Sequence, residues 1–338
     1  MDYIVIAYLF LSLLLYLLLG GADFGAGIVE LFTSRKNKSR TRKTLYHAIG
    51  PIWEANHMWL IIAIVILFVG FPKIYTEMSV YLHIPLVCML IGIIARGTAF
   101  VFRHYDAVKD ETQRIYNRIY MLSSCVTPFF LGVIAGSAIS GHIDPAAQSF
   151  AAVFIFSWLN AFSVGVGFFV VALCGFLASV YLIGEAESAE DRQRFINKAK
   201  HWNIIAVVCG ALVFIAAMSD RIPLLSWVFG NVIGLTAVLA ATASLIVLWY
   251  LVYRGKAFIL RPFAAFQVTM IMLAISYAHF PDFIITRNGD NFSLIENQAT
   301  QKTLTALAWA LILGSLFILP ALFYLYYSFQ KKTNAIAR

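Results

Sequence analysis

The chain has 338 residues, of which 61% are hydrophobic and only 12% charged, and its mean hydropathy is +0.81. Soluble domains are nearer half apolar and a quarter charged, so this composition excludes an ordinary soluble enzyme, a disordered chain and a coiled coil. The apolar runs are long and continuous, which also excludes an outer-membrane barrel and predicts an all-α polytopic membrane protein.

Nine apolar segments are near the ~20 residues that a helix needs to cross the hydrocarbon core of a bilayer. In chain order they cover residues 3–32, 51–71, 79–102, 117–140, 151–184, 202–218, 226–253, 260–279 and 303–329. The first and fifth are long enough to tilt or project beyond the bilayer. The ninth is expected to break at Pro320, because proline cannot continue the helical hydrogen bonds.

Lysine and arginine are unevenly distributed among the segments that connect these spans. Twenty lie in 33–49, 103–118, 185–201, 254–261 and 331–338, whereas four lie in the alternate connections and one lies within a span. Basic loops stay in the cytoplasm, so the bias predicts an outside N-terminus, a cytoplasmic C-terminus and an odd number of spans. The net charge of +8 therefore reflects topology and contact with anionic lipid, and no nucleic-acid partner is expected.

Three ionisable residues within spans are functional candidates, because burying charge in a membrane is costly. Asp23 lies in the first span between Gly21 and Gly25, whose spacing lets helices approach closely. Glu54 lies in the first turn of the second span, where the helix dipole favours a carboxylate, and Arg96 lies in the third span.

The predicted topology places these residues in the cytoplasmic halves of three consecutive spans, which short connections make neighbours. A buried Arg96 needs a carboxylate, and both Asp23 and Glu54 are available. His57, three residues after Glu54, and Glu30, two turns after Asp23, extend the set. The five residues favour a proton path from the cytoplasm, with a helix-locking cluster or a substrate-anion site as alternatives.

Other chemistry finds little support in the sequence. Of the seven histidines only His57 is clearly within a span, and no pair has strong haem-ligand spacing. The four cysteines lie in apolar runs without a C-x-x-C motif, which favours small core residues over disulfides or covalent haem. We therefore expect no catalytic, cofactor-binding or metal-ligating residue in this chain.

Three stretches resemble subunit II of the cytochrome bd-type quinol oxidases. They are Gly21-Ala-Asp23-Phe-Gly25-Ala-Gly27, Pro51-Ile-Trp53-Glu54-Ala-Asn56-His57-Met-Trp59-Leu-Ile and Arg96-Gly-Thr-Ala-Phe100-Val-Phe-Arg103. The resemblance is strongest over residues 1–140. It implies two four-helix bundles plus one peripheral helix: a first bundle in 1–140 with the polar cluster, and a second bundle with the peripheral helix in 151–338.

The resemblance also implies a function. The family forms complexes in prokaryotic cell membranes that oxidise quinol and reduce dioxygen to water. Subunit I would carry two b-type haems, one d-type haem and the quinol-oxidising loop, whereas this chain would ligate no haem and would not be catalytic alone. Asp23, Glu54 and Arg96 match positions proposed to line a cytoplasmic proton path towards the haem site. His57 stands where glutamine or asparagine would be a common alternative.

Two other functions stay open at this point. A secondary transporter would bind its substrate near the midplane between broken helices, whereas this polar cluster is displaced towards one face. A scaffold would only bury and stabilise the haem subunit. The expected partners are subunit I, a small single-span subunit as a further candidate, membrane lipid and quinol.

Overall fold

A computed structural model describes residues 1–50, 52–105, 111–254 and 259–336. Within these residues nine helices are long and apolar enough to cross a membrane, so the predicted all-α polytopic fold class is confirmed. Pro51, Lys109, Lys256 and Arg338, which belong to the predicted second span and the basic connections, lie outside the described residues.

The elements follow one another along the chain as helices with one short hairpin. They are α1 (Asp2–Leu15), a π-helical turn (Tyr16–Gly20), α2 (Gly21–Leu31), α3 (Arg35–Ile49), α4 (Trp53–Gly70), α5 (Pro72–Tyr81), α6 (His83–Tyr105), α7 (Glu111–Ile139), α8 (Phe150–Phe154), α9 (Ala161–Ile183), α10 (Ala189–Ser219), α11 (Leu224–Phe229), α12 (Val232–Tyr253), α13 (Leu260–His279), β1 (Asp282–Ile284), β2 (Phe292–Ser293) and α14 (Gln301–Ile336). Spans one to nine are α1–α2, α4, α6, α7, α9, α10, α12, α13 and α14.

Several of the predicted span limits are corrected. The third span begins at His83 instead of residue 79, and the seventh begins at Val232 instead of residue 226, after the separate helix α11. The fifth span begins at Ala161 instead of residue 151, because the Asn160 side chain accepts a hydrogen bond from Ser163 N (2.8 Å) and caps the helix, leaving α8 separate. The sixth span begins at Ala189 instead of residue 202, where Ser188 caps the helix in the same way. Helical structure therefore extends through charged residues that hydropathy excluded from the span.

The predicted break at Pro320 is wrong. Helix α14 continues through this residue, just as α7 continues through Pro128. Membrane helices tolerate an internal proline because neighbouring groups and local adjustment satisfy the freed carbonyl.

Helix α9 lies at the centre of the molecule and packs against α2, α7, α10 and α13. Its contact with α2 depends on glycine: a Cβ at Gly25 would lie 1.9 Å from the carbonyl oxygen of Cys174. The two backbones therefore touch, which confirms the close helix approach predicted from the Gly21 and Gly25 spacing. Helix α14, by contrast, is the least buried span and packs at the periphery against α1 and α4.

Two basic connections meet at one end of the molecule, here called the basic end. Arg40 of α3 bonds Glu190 (3.1 Å) and Asp191 (2.9 Å) at the start of α10, and hydrogen bonding to Glu190 raises the pKa of Arg40. Lys198 of α10 donates to the carbonyl of Phe32 (2.9 Å), just after α2 ends. The segments 33–49 and 185–201 therefore lie side by side, which agrees with the prediction that both lie on one side of the membrane, and 35–49 is helical.

The connection after α13 lies near the far end of α7. Strands β1 and β2 pair antiparallel within it, and Ile285 N donates to the carbonyl oxygen of Ala138 (2.7 Å). This polar connection therefore includes a short hairpin.

Candidate functional site

A buried ion pair joins the first span to the third. Arg96 Nη2 on α6 donates to Asp23 Oδ1 (2.5 Å) and to the Asp23 carbonyl oxygen (3.2 Å) on α2, and both residues are fully buried. The guanidinium carbon lies 5.2 Å from the ring centroids of both Phe24 and Tyr120. Aromatic faces attract a cation, so the rings hold the guanidinium away from lipid while the carboxylate balances its charge.

His57 of the second span joins this pair. Its Nε2 lies 3.6 Å from Asp23 Oδ2 and 3.4 Å from Arg96 Nη1. Because the guanidinium can only donate, that contact favours an unprotonated Nε2, which leaves the proton on Nδ1 in the neutral ring. Three spans thus bring an acid, a base and a permanent cation together, as the sequence predicted for Asp23, His57 and Arg96.

Several buried polar atoms around Asp23 have no hydrogen-bond partner within the described ranges. They are Asp23 Oδ2, His57 Nδ1, Tyr16 Oη and Trp59 Nε1. Tyr16 and Trp59 pack in one cluster with Phe24, whose ring centroid is 5.5 Å from that of His57. Such groups usually bind one another or ordered water, so this region is suited to a hydrogen-bonded relay.

A second buried carboxylate lies nearer the basic end. Glu30 Oε2 accepts from Arg103 Nη1 (2.8 Å), and its Oε1 lies 2.8 Å from Arg42 Nη2. The side chains of Glu30 and Arg103 are 0% and 2% exposed, whereas that of Arg42 is 32% exposed. This cluster therefore ties α2 and α6 to α3 and reaches the surface through Arg42.

The two ion pairs are in register along parallel helices. Glu30 follows Asp23 by seven residues, and Arg103 follows Arg96 by seven, a rise of about 10 Å at 1.5 Å per residue. The Tyr120 ring lies between them, with its centroid 5.2 Å from the Arg96 guanidinium and 4.1 Å from that of Arg103. Arg42, Arg103 and Tyr120 were not among the predicted site residues, although the repeated seven-residue spacing signals Arg103.

Glu54 does not join the cluster. It is exposed in the first turn of α4 and forms no ion pair with a described residue, so the carboxylate that pairs with Arg96 is Asp23 alone. The reason is the rotation of α4: neighbouring Trp53 packs towards Phe100 (ring centroids 5.2 Å apart) and Gly97. Glu54 consequently points away from the pair, towards the surface of the chain.

The polar cluster around Asp23 does not fit a haem or metal site. No group of three or more His, Cys, Asp or Glu side chains suited to holding a metal ion occurs in the described ranges. His57 Nε2, the one ring nitrogen that faces the polar cluster, is directed at Asp23 and Arg96. An iron atom there would have to displace a guanidinium and would stand beside a fully buried positive charge.

Comparisons with known proteins all point to one family. The family described as "Cytochrome bd terminal oxidase subunit II" matches residues 1–329. "Cytochrome bd ubiquinol oxidase subunit 2" of Bacillus subtilis is 31% identical over 51% of this chain and 49% of its own length. "Cytochrome bd-I ubiquinol oxidase subunit 2" of Escherichia coli K12 is 24% identical over 54% of this chain and 49% of its own.

A solved structure shares the fold. A chain in "The structure of bd oxidase from Geobacillus thermodenitrificans" superposes with a TM-score of 0.74 at 20% identity, covering 97% of this chain and 98% of that one. The sequence matches to the curated relatives span about half of those relatives' length, whereas the structural match extends over nearly the whole chain.

Proposed function

The chain belongs to the cytochrome bd terminal oxidase subunit II family, and from that premise we propose that it is the non-haem subunit of a quinol:dioxygen oxidoreductase in a bacterial cell membrane. In this proposal the chain has two tasks. It stabilises the haem-bearing subunit I, and it lines a proton path from the cytoplasm to the oxygen-reducing site.

The observation that carries the proposal is the fully buried Asp23–Arg96 pair with His57 beside it. A scaffold that only buries apolar surface would not need a carboxylate here, since replacing a buried ion pair by apolar residues is often neutral or stabilising. An intramembrane ionisable residue is by default a candidate member of a proton relay or an ion pathway. The pair is therefore assigned a function in proton transfer.

The proposed path has an entrance, a buried part and an end at the surface of α4. Glu30 lies at the entrance, where Arg42 reaches the surface of the basic end. Asp23 and His57 form the buried part, and Glu54, one helical turn before His57, leads to the exposed surface of α4. Protons would pass along these groups and intervening water, with Arg96 fixing the orientation of the Asp23 carboxylate.

The chemistry requires such an inlet. Reducing dioxygen to water consumes protons, and a site within the bilayer can receive them only through polar groups. In the proposed topology the basic end faces the cytoplasm, which puts the N-terminus outside and the C-terminus inside. Glu30 and Arg42 then contact the side from which protons are taken.

We propose that the partner subunit binds the cofactors. Two haems b and one haem d, which supply the electron transfer and oxygen chemistry when bound, would lie in subunit I together with the quinol site. The surface of α4 that carries Glu54 is the proposed side from which protons pass to that subunit. A secondary transporter is not favoured, because the oxidase family match covers residues 1–329.

Steady-state oxygen consumption per haem tests the proposal. Asp23→Asn and Glu54→Gln, made in the intact complex, should each slow quinol-driven turnover about a hundredfold, within the range of a positioned acid–base group. The haem spectrum should not change. Glu190→Gln is the matched control, since its carboxylate is exposed at the basic end and pairs with the partly exposed Arg40.

Two results would contradict the proposed proton path. Normal turnover in both variants would remove the proton path. Loss of assembly in Asp23→Asn, with normal turnover per remaining haem, would assign the cluster to helix locking alone.

A further inference from the structure

A groove separates α10 from α12 at the basic end. Its volume is about 560 Å³, and its lining residues are Gln193, Ile196, Lys200, Asn203, Ile204, Trp249, Val252 and Tyr253. Each of the two helices packs mainly against another neighbour, α10 against α9 and α12 against α13. The groove is therefore a gap between two helix pairs that opens on the surface of the chain, where Ile204 and Tyr253 are exposed.

Among the described residues, the charge in the groove is positive and has no acidic partner. Lys200 is exposed and forms no ion pair with a described residue, and no acidic side chain lines the groove. Arg254, directly after α12, is a second cation: its Nε donates to the Tyr250 hydroxyl (3.0 Å) instead of to an acid. The site consequently complements an anion.

The depth of the groove matches that of lipid headgroups. Trp249 Nε1 donates to Asn203 Oδ1 (3.3 Å), and Tyr253 is 89% exposed at the helix end. Tryptophan and tyrosine favour the level where headgroups meet hydrocarbon, and a lysine stem lies along apolar surface while its ammonium reaches that level. Deeper on α10, Ile204, Val207 and Val208 present exposed apolar side chains.

We propose that this groove binds one anionic phospholipid from the leaflet at the basic end. The phosphate pairs with Lys200 close to Arg254, and an acyl chain lies along Ile204 and the apolar surface beyond it. A neutral quinone would leave the lysine without a counter-charge, and an apolar helix of another subunit would bury it unpaired, so the charge favours the lipid.

Photolabelling tests the proposal on the complex as isolated. The complex is placed in phosphatidylcholine nanodiscs that contain a photoactivatable phosphatidylglycerol, and the labelled peptides are mapped. Label should concentrate in peptides that cover 193–204 and 249–253. Lys200→Gln should reduce it about fivefold, the effect of the ~1 kcal/mol that one lysine contributes near an anionic surface, whereas Lys200→Arg should retain it.

Lys36→Gln is the matched control, because Lys36 is exposed at the same end but lies on α3, outside the groove. The variants alter surface side chains and leave the proposed proton path intact, so turnover reports separately that the complex is folded. Equal labelling of Lys200→Gln and the unmodified chain would overturn the proposal. So would stronger labelling of the groove by a photoactivatable quinone, or protection of the groove by another polypeptide.

Discussion

Arg96 Nη2 lies 2.5 Å from Asp23 Oδ1, and neither side chain has any exposed surface. The pair links the first and third spans away from bulk solvent. Each group therefore depends on the other for charge compensation, and removing one is expected to cost more than removing both.

Arg96→Gln should lower the free energy of unfolding by about 3–5 kcal/mol, because it leaves the Asp23 carboxylate buried without its cation. The double variant Asp23→Asn with Arg96→Gln should recover much of that loss. Thermal unfolding of the detergent-solubilised complex, compared across the double-mutant cycle, measures the coupling. Additive effects of the two substitutions would show that the residues do not stabilise each other.

Glu30→Gln should destabilise the junction of α2, α3 and α6, because it leaves the guanidinium of Arg103 buried without a carboxylate. The expected loss is about 3 kcal/mol, the lower end for breaking a buried pair. Glu187→Gln serves as control, since its ion pair with Lys43 is 3.4 Å long and exposed on both sides. Equal unfolding temperatures for the two variants would contradict the assignment of Glu30 to a buried cluster.

Gly25→Ala should separate α2 from α9, because the added methyl group would lie 1.9 Å from the Cys174 carbonyl oxygen. We expect a loss of about 1–3 kcal/mol, typical of an overpacked core, and a lower yield of assembled protein. Gly314→Ala in α14 is the matched membrane control, since the nearest described side chain to its added methyl, Ile318, lies at an ordinary contact distance of 4.0 Å. Fluorescence-detected size exclusion after heating compares the two, and an unaffected Gly25→Ala variant would exclude the backbone contact.

Purification in mild detergent from native membranes should recover this chain with a second membrane subunit. The eluate should show b- and d-type haem bands in a reduced-minus-oxidised spectrum, because the proposed partner subunit carries the haems. A colourless, solitary chain from well-preserved membranes would contradict the proposed complex.

The spans could be predicted from the sequence because a bilayer demands about 20 apolar residues for each crossing. Their ends were less predictable. Helix α10 continues through charged residues up to Ser188, and α8 is separated by the cap at Asn160. Local hydrogen bonding determines these ends, and hydropathy does not report it. The continuation of α14 through Pro320 was also not predictable from residue type, since neighbouring groups can sustain a helix through proline.

The candidate site was partly predictable, because a bilayer also limits where charged side chains can lie. Asp23 and Arg96 are too costly to expose to lipid, so their burial and pairing follow from their positions in neighbouring spans. Glu54 is different, because it lies at a helix end where it can face either the interior or the surface. The rotation of α4 depends on the packing of Trp53 against Phe100, a tertiary contact that the sequence pattern does not specify.

The rate of proton uptake by the fully reduced complex tests the proposed proton path most directly. It is measured with a pH-sensitive dye on the cytoplasmic side after a single addition of oxygen. If Asp23 lies on the proton path, Asp23→Asn should slow uptake about a hundredfold, with haem content and the electron transfer that precedes uptake unchanged. Uptake at the normal rate in an assembled, haem-replete Asp23→Asn complex would contradict the account and leave the Asp23–Arg96 pair as a structural link between the first and third spans.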